Sequence, residues 1–389
     1  MVTQREYSEI MNVRKHVLCI VGTRPEGVKM APLIKALKGE PWARVTVMTT
    51  AQHRNLLDQV LALFDIQPDV DLDIMRPDQT LSELTARLIK ALDETFNSLK
   101  PDLVLAQGDT TTVMTAAPVA FYRRIPFGHV EAGLRTHDLD SPFPEEMNRL
   151  VAGRLARWHF VPTQRARQNL LREGISDAAI HVTGNTVIDA LLEVASTDWP
   201  LALTLDARKR LLLVTTHRRE NFGKPLRAIC AAILQLVDRY TDLEVVYPVH
   251  PNPRVRSIVH EMLGNQTCIH LCEPLDYASF VQVQKRAFLI LTDSGGVQEE
   301  APALGTPVLV LRTETERPEA VEEGVVRLVG TSQTRIVAEV SHLLDNDIAY
   351  RKMALVASPY GDGHAAQRIV TTLRHAFYPP DVSLAISLA

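Results

Sequence analysis

The feature that most constrains this chain is a recurring order: a short, near-continuously apolar run, a polar or glycine-bearing turn, then a longer amphipathic stretch. Residues 16–21, 44–50, 102–106, 126–130 and 158–161 are such runs. A strand that is apolar along its whole length has no face for water, so it belongs in a parallel sheet covered on both sides. Between the runs, residues 30–37, 52–64, 81–99 and 112–123 carry apolar positions at helical spacing. The β-α order therefore predicts an α/β protein with a doubly wound parallel sheet.

The pattern then repeats. Runs at 211–216, 243–248, 268–271, 287–292 and 307–311 read as a second set of strands, with helices among 223–240, 298–305 and 333–344. A chain of 389 residues is long enough for two or three domains. We expect two Rossmann-like domains, with residues 181–185 as the crossing point. The first spans 1–183 and the second 184–362, and the tail after Pro379 is expected to fray. Ligands of such sheets sit at the carboxyl ends of the strands, so two of them facing a cleft could grip one substrate from both sides.

Composition excludes several functional classes. The hydrophobic fraction of 46% is too high for a disordered chain, and a net charge of -4 gives no basic surface for nucleic acid. Residues 1–15 are polar with both charge signs and read as no secretory leader; no apolar run approaches a membrane span. The four cysteines need no disulfide, which fits a reducing cytoplasm. Cys268, His270 and Cys272 alternate along a run, but no second pair completes a zinc spacing, so no metal is expected.

Candidate chemistry lies at the strand exits. Gly22-Thr23-Arg24-Pro25-Glu26 joins the first strand to a helix; its free N–H groups with Arg24, and Lys29 nearby, make an anion site. A plain βα turn with a solvated arginine is the alternative. Ser294-Gly295-Gly296 follows another strand and opens a helix, which suits a phosphate, and Glu300 one turn on could accept hydrogen bonds from ribose hydroxyls. It could also be a tight helix start with an exposed glutamate. His217-Arg218 ends a third strand, where cations suit a developing diphosphate charge. Alone, His250 is a turn residue or a ligand contact.

Acids cluster in the first half. Asp109, Glu131 and Glu145 follow or flank strand ends. Asp109 could be an N-cap and Glu145 a helix-start acid, whereas Glu131 ends an apolar run and should be partly buried. Three acids in one half and two anion loops in the other suggest proton transfer on a sugar nucleotide.

These segments resemble the bacterial non-hydrolysing UDP-N-acetylglucosamine 2-epimerases. The resemblance rests on the ordered set of 22–26, 51–54, 108–112, 129–135, 144–146, 183–189, 217–220, 293–296 and 316–320, and spans roughly 16–374. It implies two Rossmann-like domains in a glycosyltransferase-B arrangement, a homodimer, and a last helix within 363–389 that crosses back onto the first domain. It implies catalytic roles for Asp109, Glu131, Glu145 and His217. It also implies UDP or cleft contacts for Arg24, Lys29, Arg149, Arg218, Ser294, Gly295, Gly296 and Glu300, with Phe280 beside the uracil. A second, activating UDP-N-acetylglucosamine would meet Gln52, Gln79, Glu145, Arg218 and His250. No cofactor is implied. The family's destination for its product is polysaccharide biosynthesis. A hydrolysing epimerase, a glycosyltransferase on the same scaffold and a silent sugar-nucleotide binder are the alternatives to separate by assay.

Overall fold

The computed structural model describes residues 14–50 and 54–379. They form two compact units, one running to Ala190 and resuming at Tyr360, the other Leu191–Pro359. Helix Thr186–Ala195 straddles the division.

The first unit is built on β1 (Lys15–Val21), β2 (Ala43–Thr49), β3 (Val70–Asp71), β4 (Leu103–Gln107), β5 (Phe127–Val130), β6 (Trp158–Val161) and β7 (Ile180–Val182). All pair in parallel, in the order β3-β2-β1-β4-β5-β6-β7. Every residue of β4, β5 and β6 is buried, as their unbroken apolar character requires. The two edge strands are only two and three residues long and partly exposed, too short for a period to register in sequence.

Helix Leu81–Leu99 opens with a capping box between Thr80 and Glu83 and buries Leu84, Leu88, Leu92 and Phe96, one residue per turn. Burying Leu88 completely is worth about 1.5–3 kcal/mol, so an aspartate there would break the stripe. Helix Arg24–Lys38 starts six residues before the expected Met30, because Thr23 and Glu26 form a second capping box and Pro25 sits in the first turn.

The second unit holds β8 (Arg210–Thr215), β9 (Leu243–Pro248), β10 (Ile269–Cys272), β11 (Leu289–Thr292), β12 (Val308–Val310) and β13 (Val326–Leu328). Their order is β10-β9-β8-β11-β12-β13, again parallel. Helices Lys224–Arg239, Pro253–Leu263 and Gln333–Asp345 bury Ile229, Ile233, Val259, Ile336 and Val340 in one cluster with β8 and β9. Helix Gly295–Ala303 begins three residues before the expected Gln298, so both glycines lie in its first turn. The expected two-sheet α/β architecture is the one observed.

Helix Ala365–Phe377 belongs to the first unit. The Ala365 and Ala366 N–H groups donate to Asp189 (3.2 and 2.8 Å), Arg368 donates to the Thr183 carbonyl, and the Phe377 ring lies 6.2 Å from Trp42 and 6.1 Å from Trp158. No described helix is long and apolar enough to cross a membrane.

In each sheet the chain works outward from a central strand and then returns to that strand's other side. The reversal falls between β1 and β4 in one unit and between β8 and β11 in the other. At such a point the two following loops diverge to opposite faces and leave a crevice at the strand ends.

Candidate active site

In the first unit the crevice is formed by the loops after β1 and β4, with the exit of β5 beside them. The register aligns Gln107 with Val130, so Gly108-Asp109 and Glu131 leave the sheet at one level. Glu131 has φ +60°, a left-handed conformation rare outside glycine, and its side chain is buried. That strain is held by contacts on both carboxylate oxygens. Lys29 Nζ lies 2.6 Å from Oε1 and Asn185 Nδ2 donates to the same oxygen at 2.7 Å. The Gln107 amide donates to Oε2. Gly133, two residues on, has φ +85°, and a Cβ there would come within 2.4 Å of the Ala166 carbonyl oxygen.

Asp109 is not a helix cap. The cap of helix Thr111–Tyr122 is Thr110, and the Asp109 carboxylate instead meets Arg149 Nη2 at 2.5 Å. Arg149 also bonds Glu146 (3.1 Å), and Glu146 accepts from the Thr136 and His137 N–H groups, so this buried acid is fixed in structure. Glu145 opens helix Glu145–Leu155, half-buried, with no hydrogen bond to its carboxylate among the described residues. Arg24, also half-buried, is likewise unengaged among the described residues. His129 donates from Nε2 to the Gly108 carbonyl at 2.7 Å, and burial pushes its imidazole down to about 4.

In the second unit the crevice lies between the loops after β8 and β11. Asp293 is fully buried and gathers the loop after β8. It accepts from the His217 N–H (3.0 Å), the Arg218 N–H (3.0 Å) and the Asn221 amide (2.8 Å). His217 Nδ1 lies 3.1 Å from Oδ1, while the ring stays about half exposed. Burial alone would raise the Asp293 carboxyl, but the His217 imidazole and the donated hydrogen bonds outweigh it and hold it below the usual range. This orients the imidazole, with no partner at Nε2 among the described residues, as a carboxylate–histidine pair.

Ser294 is the N-cap position of helix Gly295–Ala303, with its hydroxyl unused in capping. The N–H groups of Gly295 and Gly296 precede any intrahelical acceptor and can meet an anion. Glu300 is buried, not exposed, and accepts from Gln284 Nε2 at 2.9 Å. Arg317 bonds the buried Glu299 at 2.6 Å. Arg218 approaches Glu316 at 3.9 Å. Phe280 lies half-buried on helix Tyr277–Arg286.

The structure thus brings together Lys29 with Glu131, Asp109 with Arg149, and His217 with Arg218 and Ser294 around Asp293. The activator set divides between the two units. Gln79 is engaged in its own loop, by Met75 and the Arg76 N–H, His250 accepts from the Asn252 N–H, and Gln52 lies outside the described residues. Four polar residues of these clusters escaped sequence reasoning as individuals: Glu26, Gln107, Asn185 and Asp293. Their available signal was a polar residue ending or following an apolar run, but the partner in each case lies 24 to 84 residues away.

A family model described as UDP-N-acetylglucosamine 2-epimerase matches residues 35–374. The UDP-N-acetylglucosamine 2-epimerase of Escherichia coli K12 is 51% identical over 372 residues, covering 92% of this chain and 98% of its own. That of Yersinia pestis is 52% identical over 369 residues, with the same coverage of each chain. The crystal structure of UDP-GlcNAc 2-epimerase from Neisseria meningitidis bound to UDP-GlcNAc matches with a TM-score of 0.84 at 45% identity, covering 92% of this chain and 99% of that one. This chain belongs to the UDP-N-acetylglucosamine 2-epimerase family.

Proposed function

We propose that this protein is a non-hydrolysing isomerase that interconverts UDP-N-acetylglucosamine and UDP-N-acetylmannosamine. The chemical difficulty is that C2 is not adjacent to a carbonyl, so its proton is not acidic. Loss of UDP from C1 as the C2 proton leaves gives 2-acetamidoglucal. Re-addition of UDP at C1, with a proton delivered to the opposite face of C2, gives the manno epimer. There is no net redox change and no water enters the product, so the cycle calls for neither nicotinamide nor metal.

One observation carries the reading: a buried acid, Glu131, is held in a left-handed conformation at a strand exit by Lys29, Gln107 and Asn185. A capping role would not need such fixing, whereas proton transfer needs a carboxyl held in one orientation. Asp109 and Glu145 supply further carboxyls, as two faces of C2 require. In the second unit, Ser294, Gly295 and Gly296 receive the diphosphate, and His217 with Arg218 and Arg24 stabilises its charge as the C1–O bond breaks. Glu300 holds the ribose and Phe280 lies by the uracil. The reading extends to a cytoplasmic homodimer supplying N-acetylmannosamine for polysaccharide. It includes a second UDP-N-acetylglucosamine that activates the enzyme through Gln52, Gln79, Glu145, Arg218 and His250.

Incubation of the purified protein with UDP-N-acetylglucosamine in heavy water tests it. Expected are both epimers, with solvent deuterium at C2 and UDP retained. Free sugar with UDP would make it a hydrolase; no reaction would leave a binder. Transfer only when an acceptor is added would make it a glycosyltransferase. Retention of the original C2 hydrogen would overturn the proton-transfer scheme.

A further inference from the structure

Glu26 has no part in the roles given above, yet it is 3% exposed and makes three short hydrogen bonds. Its Oε2 accepts from the Gly22 and Thr23 N–H groups at 2.7 and 2.6 Å, as a capping box does. Its Oε1 accepts from the Thr110 hydroxyl at 2.6 Å, and that bond is not local: it spans 84 residues and crosses the crevice between β1 and β4. Beside it the Thr50 and Thr112 hydroxyls lie 2.9 Å apart. Gly22 packs so closely that a Cβ would sit 2.7 Å from Thr112 Oγ1 and 2.8 Å from Thr50 Oγ1.

The two loops joined in this way carry different parts of the site. The first bears Arg24 and begins the helix of Lys29, which holds Glu131. The second bears Asp109, next to Thr110. We propose that Glu26 is a positioning residue of the epimerisation, tying the 22–26 loop to Thr110 and so fixing the spacing between Arg24 and the Lys29–Glu131 pair on one side and Asp109 on the other. This rests on the reaction proposed above.

The tie does not depend on charge. Burial pushes the Glu26 carboxyl up to about 7, against the pull of the hydrogen bonds from Thr110, Gly22 and Thr23. When ionised it accepts all three; when protonated its O–H donates to the Thr110 oxygen while the other oxygen still accepts both N–H groups. A glutamine can do the same, with its NH₂ toward Thr110. A valine at 110 cannot.

The test compares Glu26→Gln, Thr110→Ser and Thr110→Val in steady-state kinetics, with wild-type turnover as the control for the reaction itself. E26Q and T110S should keep kcat within about threefold of wild type. T110V should lose at least about tenfold in kcat with KM changed less than about threefold, since misplacement by an ångström can cost about a hundredfold. Loss of one helix cap leaves the fold intact. A substrate-free readout accompanies it: the Gly22 and Thr23 amides should exchange at least about tenfold faster in T110V. Unchanged kcat and exchange in T110V would overturn the tie. A loss of about a hundredfold or more in E26Q would overturn it too, by making Glu26 a proton carrier. An inactive wild type would instead sink the reaction and leave the exchange result to judge the tie.

Discussion

Replacing Asp293 by asparagine isolates what the carboxylate–histidine pair contributes. Oδ2 faces three donors, the His217 N–H (3.1 Å), the Arg218 N–H (3.0 Å) and the Asn221 amide (2.8 Å), so the amide carbonyl of the variant takes that place. Its NH₂ then occupies the Oδ1 position, 3.1 Å from His217 Nδ1 and 3.0 Å from the His217 N–H. A donor now points at a nitrogen that formerly donated. His217 must accept at Nδ1 and carry its proton on Nε2, the tautomer opposite to the one the carboxylate selects. Hydrogen bonds to a charged group contribute about 1.5–3 kcal/mol each, and one is lost, so the melting temperature should fall by a few to about ten degrees. The Asp293 carboxyl is held below its usual range, so its contribution to stability is present above the unfolded value near 3.8. That contribution disappears as pH falls through the lower folded value. At neutral pH the deficit of the variant is therefore full. A wrong tautomer or lost proton carrier costs about 10²–10⁴-fold in kcat. The UDP affinity should change little, because the Gly295 and Gly296 N–H groups are untouched. Steady-state kinetics, calorimetry with UDP and ¹⁵N spectra of His217 make the assay. A variant with wild-type kcat and the proton still on Nδ1 would refute the reasoning.

Glu131→Gln keeps size and removes the ionisable carboxyl, so under the proposed reaction kcat should fall about 10²–10⁴-fold with UDP affinity preserved; near-normal turnover would reduce Glu131 to a structural acid. Glu300→Ala and a bulky residue at Ser294 should weaken UDP binding as read by calorimetry, and unchanged affinity in both would remove that loop from the nucleotide. Burial lowers His129 to about 4 and His159 to about 3, against about 6.5 unfolded. The unfolded chain therefore binds more protons below about 6.5, and stability should drop with acid by up to about 1.4 kcal/mol per pH unit for each histidine. Melts of wild type and His159→Leu between neutral and acid pH read this; an acid limb no shallower in the variant would count against it.

The helix Leu81–Leu99 was legible to the residue, because a capping box and a one-per-turn apolar stripe are both local signals. The central strands were legible within a residue or two for a similar reason: burial on both faces writes an unbroken apolar run. The short edges β3, β7 and β13 left no such mark. Helix starts at Arg24 and Gly295 were placed late. Their first turns are made of residues that serve loops as readily as helices.

By itself the sequence determined the doubly wound α/β class, twice over, and put acids and anion loops at strand exits. Those are consequences of short-range patterning, where each residue's environment repeats with the period of its element. Only the tertiary structure decided which partners each acid takes. It gave Glu146 to a loop and Asp109 to Arg149, buried Glu131 against Lys29, and turned Glu26 and Asp293 into ties across the two crevices. The physical reason is that a side chain's partner is set by strand order and register. Thr110 is 84 residues from Glu26 and Asp293 is 76 from His217, and nothing in the local pattern measures that distance.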